Sequence, residues 1–459
     1  MNFFEKLLSG TLPFTFLMLV GIYLSFKNRF PQITRFKESL ALTVSSFKNG
    51  RNAKEFTSLK AASTSLSATV GTGNIAGVAG ALSIGGAGAV FWMWVSALLG
   101  MIIKSAEITL AVLYREKSES GFVGGPMYYI KNGLGKKFKV LSIAFAIATL
   151  PAVFSSGNMA QTNSAIITFC NNNWSQSCFG ILFALICYFS ISSTLTKIAS
   201  ITEKLVPLMS IIYIFLCGIV IFKNIDAVPF AFRSIFVGAF SPKAVTGGAA
   251  GSLAACIFSG ASRGIFSNEA GLGTSGMAHS VAVDANPKIQ GLYGIFEVFL
   301  DTLLLCTLTA LTILCSGVKI NYGTMASTEL VGQALKVTFG NFSSFALSLM
   351  MCLFAVSSII GWSIYGKLSC RYLFGEKADY LFNIIYPAAC ILGATLKGES
   401  IWQVAGISNG IMLCINLIAV ILLSDKVNSY LKREKKSGKQ KNWCHSQNIK
   451  PKRGGYNHF

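Results

Sequence analysis

Two stretches of this 459-residue chain gather the residue types that could hold a charged small molecule or ion inside an apolar environment. The first, Val70-Gly-Thr-Gly-Asn-Ile75, lies within an apolar run over residues 60–83. Two glycines beside a threonine and an asparagine weaken a helix where lipid penalises unpaired backbone groups most. A break at that depth is tolerated only where it is buried in protein or lines a wet cavity, and there it offers main-chain amides to an anion and carbonyls to a cation. The second stretch, Phe258-Ser-Gly-Ala-Ser-Arg-Gly-Ile-Phe-Ser-Asn-Glu-Ala-Gly-Leu-Gly-Thr-Ser-Gly276, is broken in the same manner and adds Arg263, Asn268 and Glu269. Charged groups at that depth are costly, so they pair, line a cavity or sit near a mouth. A lock on the unwound segment, Arg263–Glu269 or Glu269 to backbone, stands beside direct contact with a bound molecule. Phe266 and Ser267 are the better candidates for lining a pocket.

Other readings of the same residues carry different structural consequences. Gly73 and Gly77 are four apart, the spacing that lets two membrane helices approach closely. Gly71-x-Gly73-x-x-Ala76 also fits the dinucleotide fingerprint, but that motif needs a preceding strand and an acidic residue about 20 positions on. Positions 88–99 are Gly-Ala-Val-Phe-Trp-Met-Trp-Val-Ser-Ala-Leu-Leu, so no nicotinamide cofactor is implied. Three histidines (His279, His445, His458) and twelve cysteines without a C-x-x-C pair argue against a zinc or haem site and against an intramembrane enzyme. Cys170 and Cys178 flank an uncharged loop and would pair only in an oxidising outer compartment.

These motifs sit in a chain that is 53% hydrophobic, with mean hydropathy +0.58 and only 12% charged residues. That composition predicts an all-α, polytopic membrane protein. At about 20 residues per span, helices fall near 11–27, 60–83, 86–114, 138–167, 178–194, 203–222, 244–276, 288–316, 341–364, 379–396 and 401–424. Most of the 39 Lys and Arg residues lie in the loop before Leu59, in the loop from Arg115 to Lys139 and in the tail. The positive-inside rule then places the amino terminus outside and the carboxyl terminus in the cytoplasm of a multi-pass cell-membrane protein. The net charge of +21 is accounted for by these loops and the membrane-proximal tail, so no nucleic-acid partner is implied and the partner surface is the lipid bilayer. Ile33, Phe36, Leu40, Val44 and Phe47 recur at helical spacing with lysines between them, the pattern of a helix lying on the cytoplasmic face.

Each broken span opens a block of five helices. Five is odd, so the blocks cross the bilayer in opposite senses, the inverted repeat of alternating-access transporters. The expected division is 1–59 for an extra helix and the surface helix, 60–243 and 244–424 for the two repeats, and 425–459 for a basic tail.

Five ordered motifs resemble the alanine or glycine:cation symporter family: Ala68-Thr-Val-Gly-Thr-Gly-Asn-Ile-Ala-Gly77, Gly124-Gly-Pro-Met-Tyr-Tyr-Ile130, Gly157-Asn-Met-Ala-Gln161, Arg263-Gly-Ile-Phe-Ser-Asn-Glu-Ala-Gly271 and Gly361-Trp-Ser-Ile-Tyr-Gly366. The resemblance implies a LeuT-type fold and uptake of a small neutral amino acid, alanine or glycine, with co-transported sodium. It implies that the substrate carboxylate meets the main-chain amides of Thr72 and Gly73, that Gln161 lies against the substrate, and that Trp362 walls the pocket. A methyl at Gly73 is expected to obstruct that main-chain approach. Ser357 and Ser358, with carbonyls of Ser67 and Val70, are similar to an all-oxygen sodium site. Asp301 is the candidate for the rival, proton coupling. The sequence departs from the family where Ile364 replaces a tyrosine, where Lys367 replaces a glutamate, and where Thr-Ser-Gly-Met-Ala-His279 replaces an alanine-rich Ala-Pro-Asn-Ala.

Overall fold

The computed structural model describes residues 10, 12–49, 55–119, 121–168, 173–241, 252–324, 326, 328–396 and 398–431. Among them the chain is helical apart from one hairpin, Glu116–Ser118 paired antiparallel with Gly121–Val123. Among the described residues, seven helices are long and apolar enough to cross a membrane: Gly88–Leu113, Lys136–Ile166, Trp174–Ile191, Leu195–Lys223, Pro287–Cys315, Phe342–Phe374 and Gly398–Leu422. Four further elements stand where the sequence places the other spans: Leu12–Lys27, the two broken segments, and Ala378–Thr395.

The breaks form where local chemistry predicts them. Helix Ser58–Thr69 starts on Thr57, whose hydroxyl accepts from the Lys60 amide, and stops at Val70 in an extended conformation. The chain resumes with a wide turn over Gly73–Gly77 and the helix Val78–Gly85. The second segment, a broken span over 244–276 in the sequence, runs Leu253–Asn268, stops, and restarts at Thr274–Ser280. Glu269 takes the left-handed conformation at φ 56°, and Gly271 and Gly273 follow at 90° and 78°. A non-glycine residue at positive φ stores strain and needs support. Glu269 receives it because its Oε2 accepts from the Thr274 hydroxyl at 2.8 Å, tying the two half-helices across the gap.

Several boundaries shift for reasons that periodicity does not carry. Helix Leu195–Lys223 begins eight residues before its expected start and Phe342–Phe374 runs ten residues past its expected end, because Leu195, Ile198 and Ala199 in the one extension and Tyr365, Leu368 and Cys370 in the other pack into the core although polar residues lie between them. Wide turns interrupt two spans, at Ser155–Met159 and Phe299–Cys306. Pro126–Gly133, Val228–Phe240, Thr328–Phe339 and Ser424–Leu431 are helices that a 20-residue apolar criterion passes over. The surface helix appears as Phe36–Asn49, and the Ser39 hydroxyl on its protein side donates to Leu292 O at 2.6 Å while Ile33, Leu40 and Val44 remain exposed. Cys170 and the tail beyond Leu431 lie outside the described residues.

Helix Gly88–Leu113 packs against both parts of the second broken segment. The approach is close because Gly260 and Gly264 face it: a Cβ at Gly260 would lie 2.0 Å from Ala89 O, and one at Gly264 2.3 Å from Ser96 Oγ.

Candidate functional site

The two breaks face each other. Cβ atoms built on Gly73 and Gly77 would lie 3.8 Å from the Phe266 ring and 3.9 Å from Arg263 Cδ, ordinary contact distances. Gly73 and Gly77 therefore do not serve a tight helix crossing, and a methyl at Gly73 would find room among the protein atoms. The close approach is two residues earlier, at Gly71, where a Cβ would lie 2.4 Å from Ser358 Oγ and 3.0 Å from Gln161 Oε1.

Unwinding at residues 70–72 frees backbone donors, and side chains satisfy them. Gly71 N–H donates to Asn74 Oδ1 at 2.9 Å. Thr72 donates to Gln161 Oε1 twice, from its amide at 3.1 Å and its hydroxyl at 2.9 Å. Gln161 Nε2 donates in turn to Ser156 O at 3.2 Å, on the wide turn of its own span. The Thr72 amide expected to receive a carboxylate is thus covered by a neutral carbonyl oxygen.

On the other side of Gly71 lie the oxygens expected to hold a cation. Ser67 Oγ donates to Ser357 O at 2.7 Å, and Ser358 Oγ lies 3.5 Å from Val70 O. All three serines are fully buried. Ser357 Oγ has no hydrogen-bond partner among the described residues. A buried hydroxyl without a partner is costly, and a hard cation that prefers neutral oxygens fits it. Ser67 enters through its hydroxyl bond to helix Phe342–Phe374, a role beyond the carbonyl that was expected.

The second break closes from the opposite direction. Asp301, fully buried on the wide turn Phe299–Cys306, accepts from Asn74 Nδ2 at 2.7 Å, Ser267 Oγ at 2.8 Å and Thr302 Oγ1 at 2.7 Å. Ser267 also accepts from Asn74 at 3.0 Å. The Asp301 carboxylate therefore joins the two broken helices, through Asn74 on one and Ser267 on the other. Phe266 faces Gly73, packs on Trp402 at 5.1 Å and borders a cavity of about 70 Å³ that also touches Pro13, Ser262 and Asn409. Trp362 is buried, covers Gly157 and meets Tyr365 edge-on at 5.5 Å. Lys367, at a departure from the family, donates to Ile191 O at 2.6 Å and caps the helix that ends there.

Sequence reasoning missed a set of buried charges behind the second break. Lys104 Nζ donates to Asn268 O at 2.9 Å and lies 3.3 Å from Glu297 Oε2. Glu107, one turn along, accepts from Asn416, which also donates to Gly271 O at 2.8 Å and accepts from Tyr129. The signal was present as ionisable residues inside apolar spans, which are functional or structural anchors by default.

Broken helices facing each other, a neutral acceptor over a main-chain donor, and buried hydroxyls beside an extended carbonyl define a secondary transporter. Solved structures agree on the fold: MhsT in complex with L-phenylalanine superposes with TM-score 0.51 at 14% identity, covering 81% of this chain and 90% of that one. A manganese transporter of Eremococcus coleocola gives 0.51 at 13% identity, over 83% and 82%. The fold is LeuT-type. The chain belongs to the sodium:alanine symporter family, which matches residues 1–447. Among its relatives, the sodium/alanine symporter AgcS of Methanococcus maripaludis is 36% identical over 92% of this chain and 94% of its own. The uncharacterized transporter YflA of Bacillus subtilis is 36% identical over 92% and 88%, and the probable sodium/glutamine symporter GlnT of the same organism 33% identical over 95% and 91%.

Proposed function

We propose that this protein imports a small neutral amino acid, alanine or glycine, together with sodium, by alternating access. The observation that carries the reading is the convergence on Gly71, with Ser358 Oγ on one side and Gln161 Oε1 on the other. A cation among Ser67, Val70, Ser357 and Ser358 and a carboxylate at Thr72 and Gly73 would then share one unwound turn. Each would lower the cost of burying the other's charge, which makes binding of the two cooperative. Gln161 reads as a placeholder: its oxygen satisfies the Thr72 donors until a substrate carboxylate replaces it. Phe266 and Trp362 supply bulk on the side-chain end, which favours a hydrogen or methyl over a larger group. The name of AgcS supports the substrate class and the cation.

Asp301 supports proton coupling poorly, since an amide and two hydroxyls already donate to its carboxylate. In this reading residues 60–243 and 244–424 are the two inverted repeats, the amino terminus is outside the cell membrane and the tail is cytoplasmic. Competition by unlabelled amino acids for labelled alanine in vesicles, with and without a sodium gradient, tests it. Glycine and serine should compete, and leucine should not; competition in the reverse order would refute the size argument.

A further inference from the structure

The motif Gly124-Gly-Pro-Met-Tyr-Tyr-Ile130 takes no part in the proposed carboxylate and cation sites, yet it packs along the second broken segment. A Cβ at Gly124 would lie 2.5 Å from Ser280 Cβ and one at Gly125 2.6 Å from Met277 Cγ, while one at Gly273 would clash with Pro126 Cγ. Residues 124, 125 and 126 therefore run past 280, 277 and 273, along one face of the half-helix Thr274–Ser280 and onto the break before it. Met127, Tyr128, Tyr129 and Ile130 are buried, whereas Lys131 and Asn132 are exposed and bond to Glu116 of the hairpin. Gly125 and Gly135, at φ 121° and 86°, bracket helix Pro126–Gly133. Only glycine takes such angles readily, so the chain can turn at either end without disturbing the helix between.

One side chain fastens this segment to the break. Asn416, fully buried on helix Gly398–Leu422, donates through Nδ2 to Glu107 Oε1 and, at 2.8 Å, to Gly271 O, while its Oδ1 accepts from the Tyr129 hydroxyl. Glu107 Oε1 and Gly271 O are both acceptors here, so turning the amide over would set oxygen against oxygen, and Oδ1 is held toward Tyr129. A single amide thus joins helix Gly88–Leu113, the break, helix Gly398–Leu422 and the segment 124–133. Among the described residues, no other side-chain hydrogen bond leaves the buried face of Pro126–Gly133. The rest of that face makes apolar contact, with the Tyr128 ring 5.1 Å from that of Tyr372.

We infer that residues 124–133 are a lid over the half-helix Thr274–Ser280, and that Asn416 is the positioning residue that fastens it. When the Tyr129–Asn416 bond parts, the lid turns on Gly125 and Gly135 and lets water reach the half-helix and the break. One buried hydrogen bond is strong enough to bias the lid closed and weak enough to part in a transport cycle. The lid belongs to the basic loop that the charge pattern assigns to the cytoplasm, so it closes the exit from the substrate site. That last step rests on the transport reading, but the lid and its fastening do not.

Hydrogen exchange read by mass spectrometry on the purified full chain, without sodium or amino acid, tests the fastening. Tyr129→Phe should speed exchange across residues 128–133 about tenfold, as for the loss of one buried hydrogen bond, and leave Phe342–Phe374 within about twofold. Asn416→Ala should do at least as much, and adding Tyr129→Phe to it should change exchange by no more than about twofold, because the bond is already gone. Equal loosening of Phe342–Phe374, or a further tenfold from the second substitution, overturns the inference. Access to the covered face is the second readout. In Met277→Cys, a charged maleimide should label position 277 about tenfold faster once Tyr129→Phe is added. An unchanged labelling rate overturns the lid. Tyr129→Phe decides both readouts where Asn416→Ala does not fold. Neither readout needs a substrate, so a wild type without alanine uptake would refute the transport reading and leave the lid to be judged by these two results.

Discussion

Gln161 Oε1 lies 3.1 Å from the amide nitrogen and 2.9 Å from the hydroxyl of Thr72, so a neutral side chain holds the donors that an incoming carboxylate requires. Gln161→Glu keeps the size and the acceptor but makes it negative. The like charge should raise the KM for alanine at least about tenfold, equivalent to about 1.4 kcal/mol. The sodium dependence should remain. An unchanged KM in Q161E would show that the carboxylate binds elsewhere.

The same turn predicts opposite outcomes for two glycines. Gly71→Ala forces a Cβ to 2.4 Å from Ser358 Oγ and should abolish uptake with the protein still in the membrane. Gly73→Ala meets only the Phe266 ring at 3.8 Å and should retain uptake within severalfold of wild type. Labelled-alanine uptake normalised to membrane protein compares the two, and a reversed order would contradict this geometry.

Ser357→Ala isolates the cation. Its Oγ makes no hydrogen bond to a described residue, so its loss should leave thermal stability nearly unchanged, because no protein partner is stranded. The sodium concentration for half-maximal uptake should rise about fivefold to tenfold, if a single neutral oxygen ligand contributes about 1–1.4 kcal/mol. A large drop in melting temperature with unaltered sodium affinity would make the hydroxyl structural.

Asp301→Asn should damage stability and leave the pH profile of transport alone. An amide nitrogen in place of Oδ1 meets Asn74 donor to donor, and one in place of Oδ2 turns the Ser267 and Thr302 hydroxyls from donors to acceptors; either way charge-assisted bonds are lost, at a cost of about 1–3 kcal/mol. Melting temperature and pH profile measured on one preparation separate this from proton coupling, which requires the profile to change.

The positions of both breaks were legible because glycine pairs inside apolar runs, Gly71 with Gly73 and Gly271 with Gly273, have few other uses at that depth. The partners of the breaks were not. Ser267 looked like a pocket residue because side-chain size was all the sequence offered, whereas its role depends on Asp301, 34 residues away. Gly73 was favoured over Gly71 for close approach because spacing does not reveal which glycine a serine 288 residues from Val70 will meet. Lys104, His279 and Glu297 carried the right chemical signal, but their meeting requires three helices to fold together.

The most direct test of the central claim is uptake of labelled alanine into proteoliposomes under an imposed inward sodium gradient at equal pH. Sodium-driven accumulation that collapses when choline replaces sodium, and that Ser357→Ala shifts to higher sodium concentration, is the predicted result. Uptake indifferent to sodium that follows an imposed pH gradient instead would contradict it.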